Sequence, residues 1–155
     1  MKRFLMVLLV FMLGISCTRK KTEIIANPDG PLSDTPRVEL SKISPASVVA
    51  LQDSIVITVF YQDGNGDIGF PEADSFSLFL TDNRLNLTQG YYVKPVAPLN
   101  ADIAVQGYLK IVLPYTFMSD SSVASEMGTF SVRLKDRAQL WSNVATSNPI
   151  EVRRN

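Results

Sequence analysis

Ser54-Ile55-Val56-Ile57-Thr58-Val59-Phe60-Tyr61 runs directly into Gln62-Asp63-Gly64-Asn65-Gly66-Asp67-Ile68-Gly69. The first half is β-branched or aromatic almost throughout, which predicts a central strand buried on both sides. The second half alternates acidic or amide residues with glycine, a composition that ends a strand and lets the chain curl. A strand closed by a polar, glycine-rich loop decides the fold class, because the rest of the chain repeats the theme.

Working outward, Val38-Glu39-Leu40-Ser41-Lys42-Ile43 alternates apolar and polar until Ser44-Pro45 stops it. Phe76, Leu78 and Leu80 alternate in SFSLFL, a weaker strand around Tyr91-Tyr92-Val93 ends at Pro95, and YLKIVL (108–113) ends at Pro114. In TFSVRLK (129–135), Phe130, Val132 and Leu134 point one way while Ser131, Arg133 and Lys135 point the other. Ile150 and Val152, with the preceding Val144 region, close the chain. Residues 115–127 admit a helix, but Ser119, Ser121, Ser122 and Ser125 favour a loop. About seven strands, with a turn signal roughly every ten residues, predict one all-β domain, a seven-stranded antiparallel Ig-like or fibronectin III-like β-sandwich over 37–155.

The start of the chain reads as export and anchoring. Lys2 and Arg3 precede an unbroken apolar run at 4–13 (FLMVLLVFML), and Gly14-Ile15-Ser16 places small residues before Cys17. That is the three-part pattern of a secretory signal peptide, expected at 1–16, and the run is shorter than the roughly 20 residues a membrane-spanning helix needs. Cys17 is the one cysteine of the chain, so it has no partner for an intrachain disulfide. Leu13-Gly14-Ile15-Ser16-Cys17 resembles a bacterial lipobox, with Gly14 where leucine is usual. The resemblance implies a diacylglycerol and an amide-linked acyl chain on Cys17, an anchor far stronger than one acyl chain. Residues 17–36 read as the lipidated cysteine and a tether: TRKKTEIIANPDGPLSDTP holds three prolines and a Pro-Asp-Gly turn, without periodicity.

Fifteen basic and fifteen acidic residues balance in the whole chain, and removing Lys2 and Arg3 with the signal leaves thirteen against fifteen. No clustered basic surface recommends nucleic acid as a partner. The chain contains no histidine. Zinc sites of the His or Cys/His kind and Ser-His-Asp or Cys-His nucleophile systems are thereby excluded, and the expectation is a protein that is not an enzyme.

The acidic loop is the candidate site. Counting Asp63 as position 1 of an EF-hand-like loop puts Asn65 at 3, Asp67 at 5, the Gly69 carbonyl at 7 and Asp74 at 12, with Glu72 at 10. The glycine of a true EF-hand belongs where Ile68 stands, and strands flank the loop, so what remains is a DxNxDxG cation loop between strands. Asp63, Asp67, Glu72 and Asp74 lie close together without a basic neighbour in the segment, which favours neutralisation by a cation. The expected metal set is Asp63, Asn65, Asp67, Gly69, Glu72 and Asp74, the expected ion Ca2+ in a structural role; the competing reading is a hairpin with its carboxylates in water. Asp136 is read as an acceptor of backbone hydrogen bonds in the Ser142-Asn143 turn. Trp141 reads either as a cap on the end of the core or as an exposed stacking platform.

The loop, together with Val132-Arg133-Leu134-Lys135-Asp136-Arg137-Ala138, Ser142-Asn143 and a final strand, resembles the Ig-like, fibronectin-like domains of Bacteroidota lipoproteins of uncharacterised function. These often carry a DGDGDIG-type loop and end in a strand, Asp-x-Ala, Ser-Asn, strand hairpin. The resemblance covers about residues 36–153. It implies a non-enzymatic outer-membrane lipoprotein, an Ig-like module that binds or scaffolds another envelope protein, with the membrane as partner through the lipid. Basic Arg19, Lys20 and Lys21 after the cysteine, where surface-exported members carry acidic residues, imply the periplasmic face of the outer membrane. The alternative is a carbohydrate-binding accessory lipoprotein of an outer-membrane uptake system, which needs aromatics aligned on one sheet face with a glycan as partner. A minimal hydrolase using Asp67 and Glu72 is the third reading.

Overall fold

The computed structural model describes residues 31–155. The signal peptide expected at 1–16, the lipidated Cys17 and most of the 17–36 tether lie outside the described residues.

Ten strands follow one another, with no helix among the described residues. They are β1 (Arg37–Ser44), β2 (Ser47–Val49), β3 (Ile55–Asp63), β4 (Leu78–Asp82), β5 (Leu87–Tyr91), β6 (Val105–Leu113), β7 (Ser125–Gly128), β8 (Phe130–Leu134), β9 (Ala145–Thr146) and β10 (Ile150–Arg153). One sheet has the order β1-β3-β6, a second β5-β4-β8-β9, and a third, smaller one β2-β10-β7. In the lettering of Ig domains the first two are A-B-E and C′-C-F-G, so the expected Ig-like β-sandwich is present.

Three details depart from the expected seven antiparallel strands. The chain leaves β1 at Ser44-Pro45 and begins a short strand, β2, that pairs parallel with β10. Residues 115–127 are a loop that ends in the short strand β7, which pairs antiparallel with β10. Ser147-Asn148-Pro149 splits the closing segment into β9 and β10, and proline has no N–H to continue a ladder.

β3 is central in its sheet, paired antiparallel with β1 on one side and β6 on the other. It is not buried on both faces, however. Ile55, Ile57, Val59, Tyr61 and Asp63 are buried, while Val56, Thr58, Phe60 and Gln62 between them are half-exposed. Hydrogen-bonded neighbours fill the edges of a central strand but leave its outer face to solvent, where Phe60 packs against Tyr108, ring centroids 5.3 Å apart. The inward residues of β3 meet Leu78 and Leu80 of β4 and Phe130, Val132 and Leu134 of β8, all buried in one core. Burying each of these side chains contributes about 1.5–3 kcal/mol.

Asn143 joins the two layers at one end: its side chain accepts from the Val38 N–H at 3.0 Å and donates to the Val38 carbonyl at 2.9 Å. The end of the expected tether also lies on the domain, since the Gly64 N–H donates to the Ser33 carbonyl at 2.8 Å.

Candidate metal centre

Side chains alternate along a strand, so the inward phase of β3 that begins at Ile55 places Asp63 on the core side. The same count along β8 (Phe130, Val132, Leu134) carries one step further to Asp136. Both aspartates are fully buried. They sit at the same end of the sandwich, one on each layer, where Ile68 of the acidic loop forms an isolated antiparallel bridge with Asp136.

The loop folds between them by its own polar groups. The Asp67 N–H donates to Asp63 Oδ2 at 3.0 Å and approaches Asn65 Oδ1 at 3.3 Å, a curl that turns the Asp67 side chain back towards Asp63. Gly66 and Gly69 have φ of 71° and 86°, in the left-handed region that glycine enters without a Cβ penalty. A Cβ at Gly69 would also strike the Lys94 carbonyl. Past the loop, the Gly69 N–H donates to Ser77 Oγ at 3.1 Å, and that hydroxyl donates to the Lys135 carbonyl at 2.7 Å. The loop is thus laced to the end of β8.

Each of the three carboxylates is held by one oxygen. Asp63 Oδ2 accepts from Asp67; Asp67 Oδ2 accepts from the Ala138 N–H at 3.1 Å; Asp136 Oδ1 accepts from the Leu140 N–H at 2.7 Å. The remaining oxygens, Asp63 Oδ1, Asp67 Oδ1 and Asp136 Oδ2, are buried and have no hydrogen-bond partner among the described residues. One oxygen from each carboxylate can be chosen so that all three lie within 4.8 Å of one another. Burial pushes the Asp63 carboxyl up to about 6, against the Asp67 N–H that favours its charged form, and the charges of Asp67 and Asp136 add to the rise. Burial likewise raises Asp136. The nearby guanidinium of Arg137 does not pair with any of them: its Nη1 donates to the Gly69 carbonyl at 2.9 Å.

Of the ligand set expected from the loop, the structure brings Asp63 and Asp67 together, with Asn65 beside them on the Asp67 N–H. The Gly69 carbonyl is taken by Arg137. Glu72 and Asp74 lie exposed in the following turn, where the Ser75 N–H donates to the Glu72 carbonyl at 3.1 Å. The third convergent carboxylate is Asp136. Its backbone acceptor role is as expected in kind, but the donor is Leu140 and not the Ser142-Asn143 turn. Its second role was readable from the phase of Phe130, Val132 and Leu134, which makes Asp136 the next inward residue.

Oxygen-only ligation by three carboxylates suits a hard cation, and calcium takes such ligands in a flexible sphere while magnesium prefers to keep its waters. Asp67 is half-buried and also lines an open cleft of about 440 Å3 with Asn65, Asp102 and Arg137.

Trp141 neither caps the core nor stands free. It lies 39% exposed on the solvent face of the β5-β4-β8-β9 sheet, against Phe79 at 5.0 Å between centroids. Tyr91 is half-buried at the end of β5, its hydroxyl donating to Gln89 Oε1 at 3.2 Å.

No known protein family matches the chain, and no curated protein is similar to it in sequence. Among solved structures it is similar to the PKD domain of an M14-like peptidase from a Thermoplasmatales archaeon, at 14% identity and a TM-score of 0.44, over 81% of this chain and 96% of that one. It is also similar to a Niemann-Pick type C2 protein from the Japanese carpenter ant, at 8% identity and a TM-score of 0.41, over 79% and 95%. At these values neither likeness says what this chain does, and the Ig-like assignment stands on the strand order.

Proposed function

We propose that this chain is a non-enzymatic Ig-like module of a bacterial envelope, anchored through lipidated Cys17 to the outer membrane and stiffened by one structural calcium ion held by Asp63, Asp67 and Asp136. The observation that carries the ion is the set of three buried carboxylate oxygens without partners. A buried charge without a partner costs several kcal/mol, so a native fold keeps such a group only where something neutralises it. Each carboxylate is also pinned by a backbone N–H through its other oxygen, the posture of a ligand that holds still. The ion would tie the loop after β3 to the turn after β8, and so one sheet to the other, leaving the outer faces and edges of the sandwich for a partner. The anchor is supported by the lipobox-like stretch at 13–17 and by Cys17 being the chain's one cysteine. What supports a periplasmic position is the basic run Arg19, Lys20 and Lys21 beside the anchor, where the surface-exported lipoproteins it resembles carry acidic residues.

Thermal denaturation of the full chain after chelation tests the ion. Calcium at about a hundred times its Kd adds about 2.7 kcal/mol to a fold that alone binds it. The expected result is a rise in Tm of roughly 10 °C with calcium and much less with magnesium, lost in Asp136→Asn. An unchanged Tm up to about millimolar calcium, or a shift that survives Asp136→Asn, overturns the site. Mass spectrometry of the cell-derived protein tests the anchor, and an unmodified Cys17 thiol removes it.

A further inference from the structure

Gly90 on β5 stands opposite Phe79 on β4, and Phe79 opposite Arg133 on β8, so the three form one row across the solvent face of the sheet. A glycine inside a strand marks a close approach. Here the approaching group is Phe76: a Cβ on Gly90 would lie 2.7 Å from its ring. The ring lies over the bare backbone and remains 44% exposed. At the other end of the row the Arg133 guanidinium sits 3.9 Å from the centroid of the Trp141 ring. Lys135, next along the same face, has its ammonium 5.7 Å from Trp141 and 5.8 Å from Phe70.

Among the described residues neither cation has a counter-charge within ion-pair distance. The two ion pairs among the described residues both belong to Arg84, and no side-chain hydrogen bond from Arg133 or Lys135 is formed there. A guanidinium stacked on an indole keeps its N–H groups around the rim, set to grip a carboxylate by two bonds. Two cations beside one ring repel each other until an anion joins them.

We propose that this row binds an acidic polysaccharide: a sugar ring lies on the exposed face of Phe76, and a uronate carboxylate is held between Arg133 and Lys135. Charge complementarity selects an anion, and the flat ring over Gly90 selects a sugar over an acidic peptide, which would use the cations alone. The platform and the cations are two strand spacings apart, about 10 Å, the reach of a short oligosaccharide rather than of one sugar. The inference rests on the binding-module reading above and does not involve the calcium site.

Trp141 is the chain's one tryptophan and touches both cations, so its fluorescence reports directly on the site. Titration of the full chain with trigalacturonate is expected to change that fluorescence saturably, with a Kd near 1 mM or below, weakened about tenfold by Arg133→Gln and again by Phe76→Ala. Both variants change exposed side chains, and circular dichroism checks that they fold. Maltotriose is expected to leave the signal unchanged. Three results each overturn the proposal: no saturable change up to about 10 mM trigalacturonate, equal binding of maltotriose, or tetraglutamate binding as tightly as the sugar with no loss in Phe76→Ala. A retained calcium shift in Tm alongside any of them leaves the ion site standing and removes only this surface.

Discussion

Two groups of buried carboxylates sit at opposite ends of the β4-β8 ladder, and the chain treats them differently. Asp82 is the inward residue after Leu78 and Leu80, as Asp63 is after Val59 and Tyr61. At its end, Arg84 donates to Asp82 and Glu126, ion pairs of 2.5 and 2.7 Å, and to the Thr116 hydroxyl at 2.7 Å. Gly128 leaves room for that side chain, since a Cβ there would collide with it. Asp82 and Glu126 thus both find their counter-charge in Arg84. At the other end Asp63, Asp67 and Asp136 meet with one orphaned oxygen each, and the nearby Arg137 donates to the Gly69 carbonyl and pairs with none of them. The difference teaches that inward aspartates at strand ends are compatible with this fold in two ways: neutralised from within by arginine, or left for a cation from outside.

The largest effect expected from breaking this comparison is at the closed end. Arg84→Met leaves the buried Asp82 without a counter-charge and takes that of the half-buried Glu126, and should lower stability by about 3 kcal/mol in urea denaturation. Calcium should add the same increment to this variant as to the unaltered chain, leaving the deficit unchanged. If the increment differs, the two ends are not independent and the contrast fails. The calcium-dependent rise in Tm proposed above is the next in size, and it belongs to the open end alone.

The chelated protein should also depend on pH at that end. The Asp63 carboxyl is raised from its ordinary 3.8 to about 6, burial being the main cause, so the folded state holds this proton more tightly than the unfolded state. Its contribution to stability is therefore fully present below about 4 and is lost as pH rises through about 6, by at most about 3 kcal/mol. Urea midpoints of the chelated chain measured from pH 5 to 7 should fall with pH relative to Asp63→Asn. With calcium bound the slope should flatten. A fall of equal size in Asp63→Asn would show that other groups carry the dependence.

The smallest effect sharpens the ligand assignment. Glu72→Gln with Asp74→Asn removes two of the carboxylates that the loop spacing alone would recruit, yet both are exposed in a turn. Stability should move by less than about 0.5 kcal/mol and the calcium shift should persist. Loss of the calcium response in this variant would return the site to the linear loop.

Much of the fold was legible because strand formation is read from local pattern. Phe130, Val132 and Leu134 alternate as expected, β1 stops at Ser44-Pro45, and the serine-rich stretch before β7 is a loop. β2 and β7 were not legible, being three and four residues long, and their existence depends on β10 lying beside both. The one-sided burial of β3 was hidden because an unbroken apolar run looks the same whether or not a second layer covers its outer face. The site was half legible. Spacing brought out Asp63 and Asp67 but extended the ligand set along the chain to Glu72 and Asp74, since a linear count cannot tell that the backbone turns away after Gly69.

By itself, the sequence determined that this chain has no histidine chemistry, that Phe130, Val132 and Leu134 alternate in one phase, and that glycines stand where the loop must curl. These follow from composition and from a period of two, which need no knowledge of neighbours. Only the tertiary structure decided that the two inward aspartates arrive at the same end, that Arg84 closes one carboxylate group while the other stays open, and that Phe76, Arg133, Lys135 and Trp141 share a face. Which strands pair, and in what order, depends on contacts between segments far apart in the chain, and those contacts are a property of the packed sandwich and not of any local stretch.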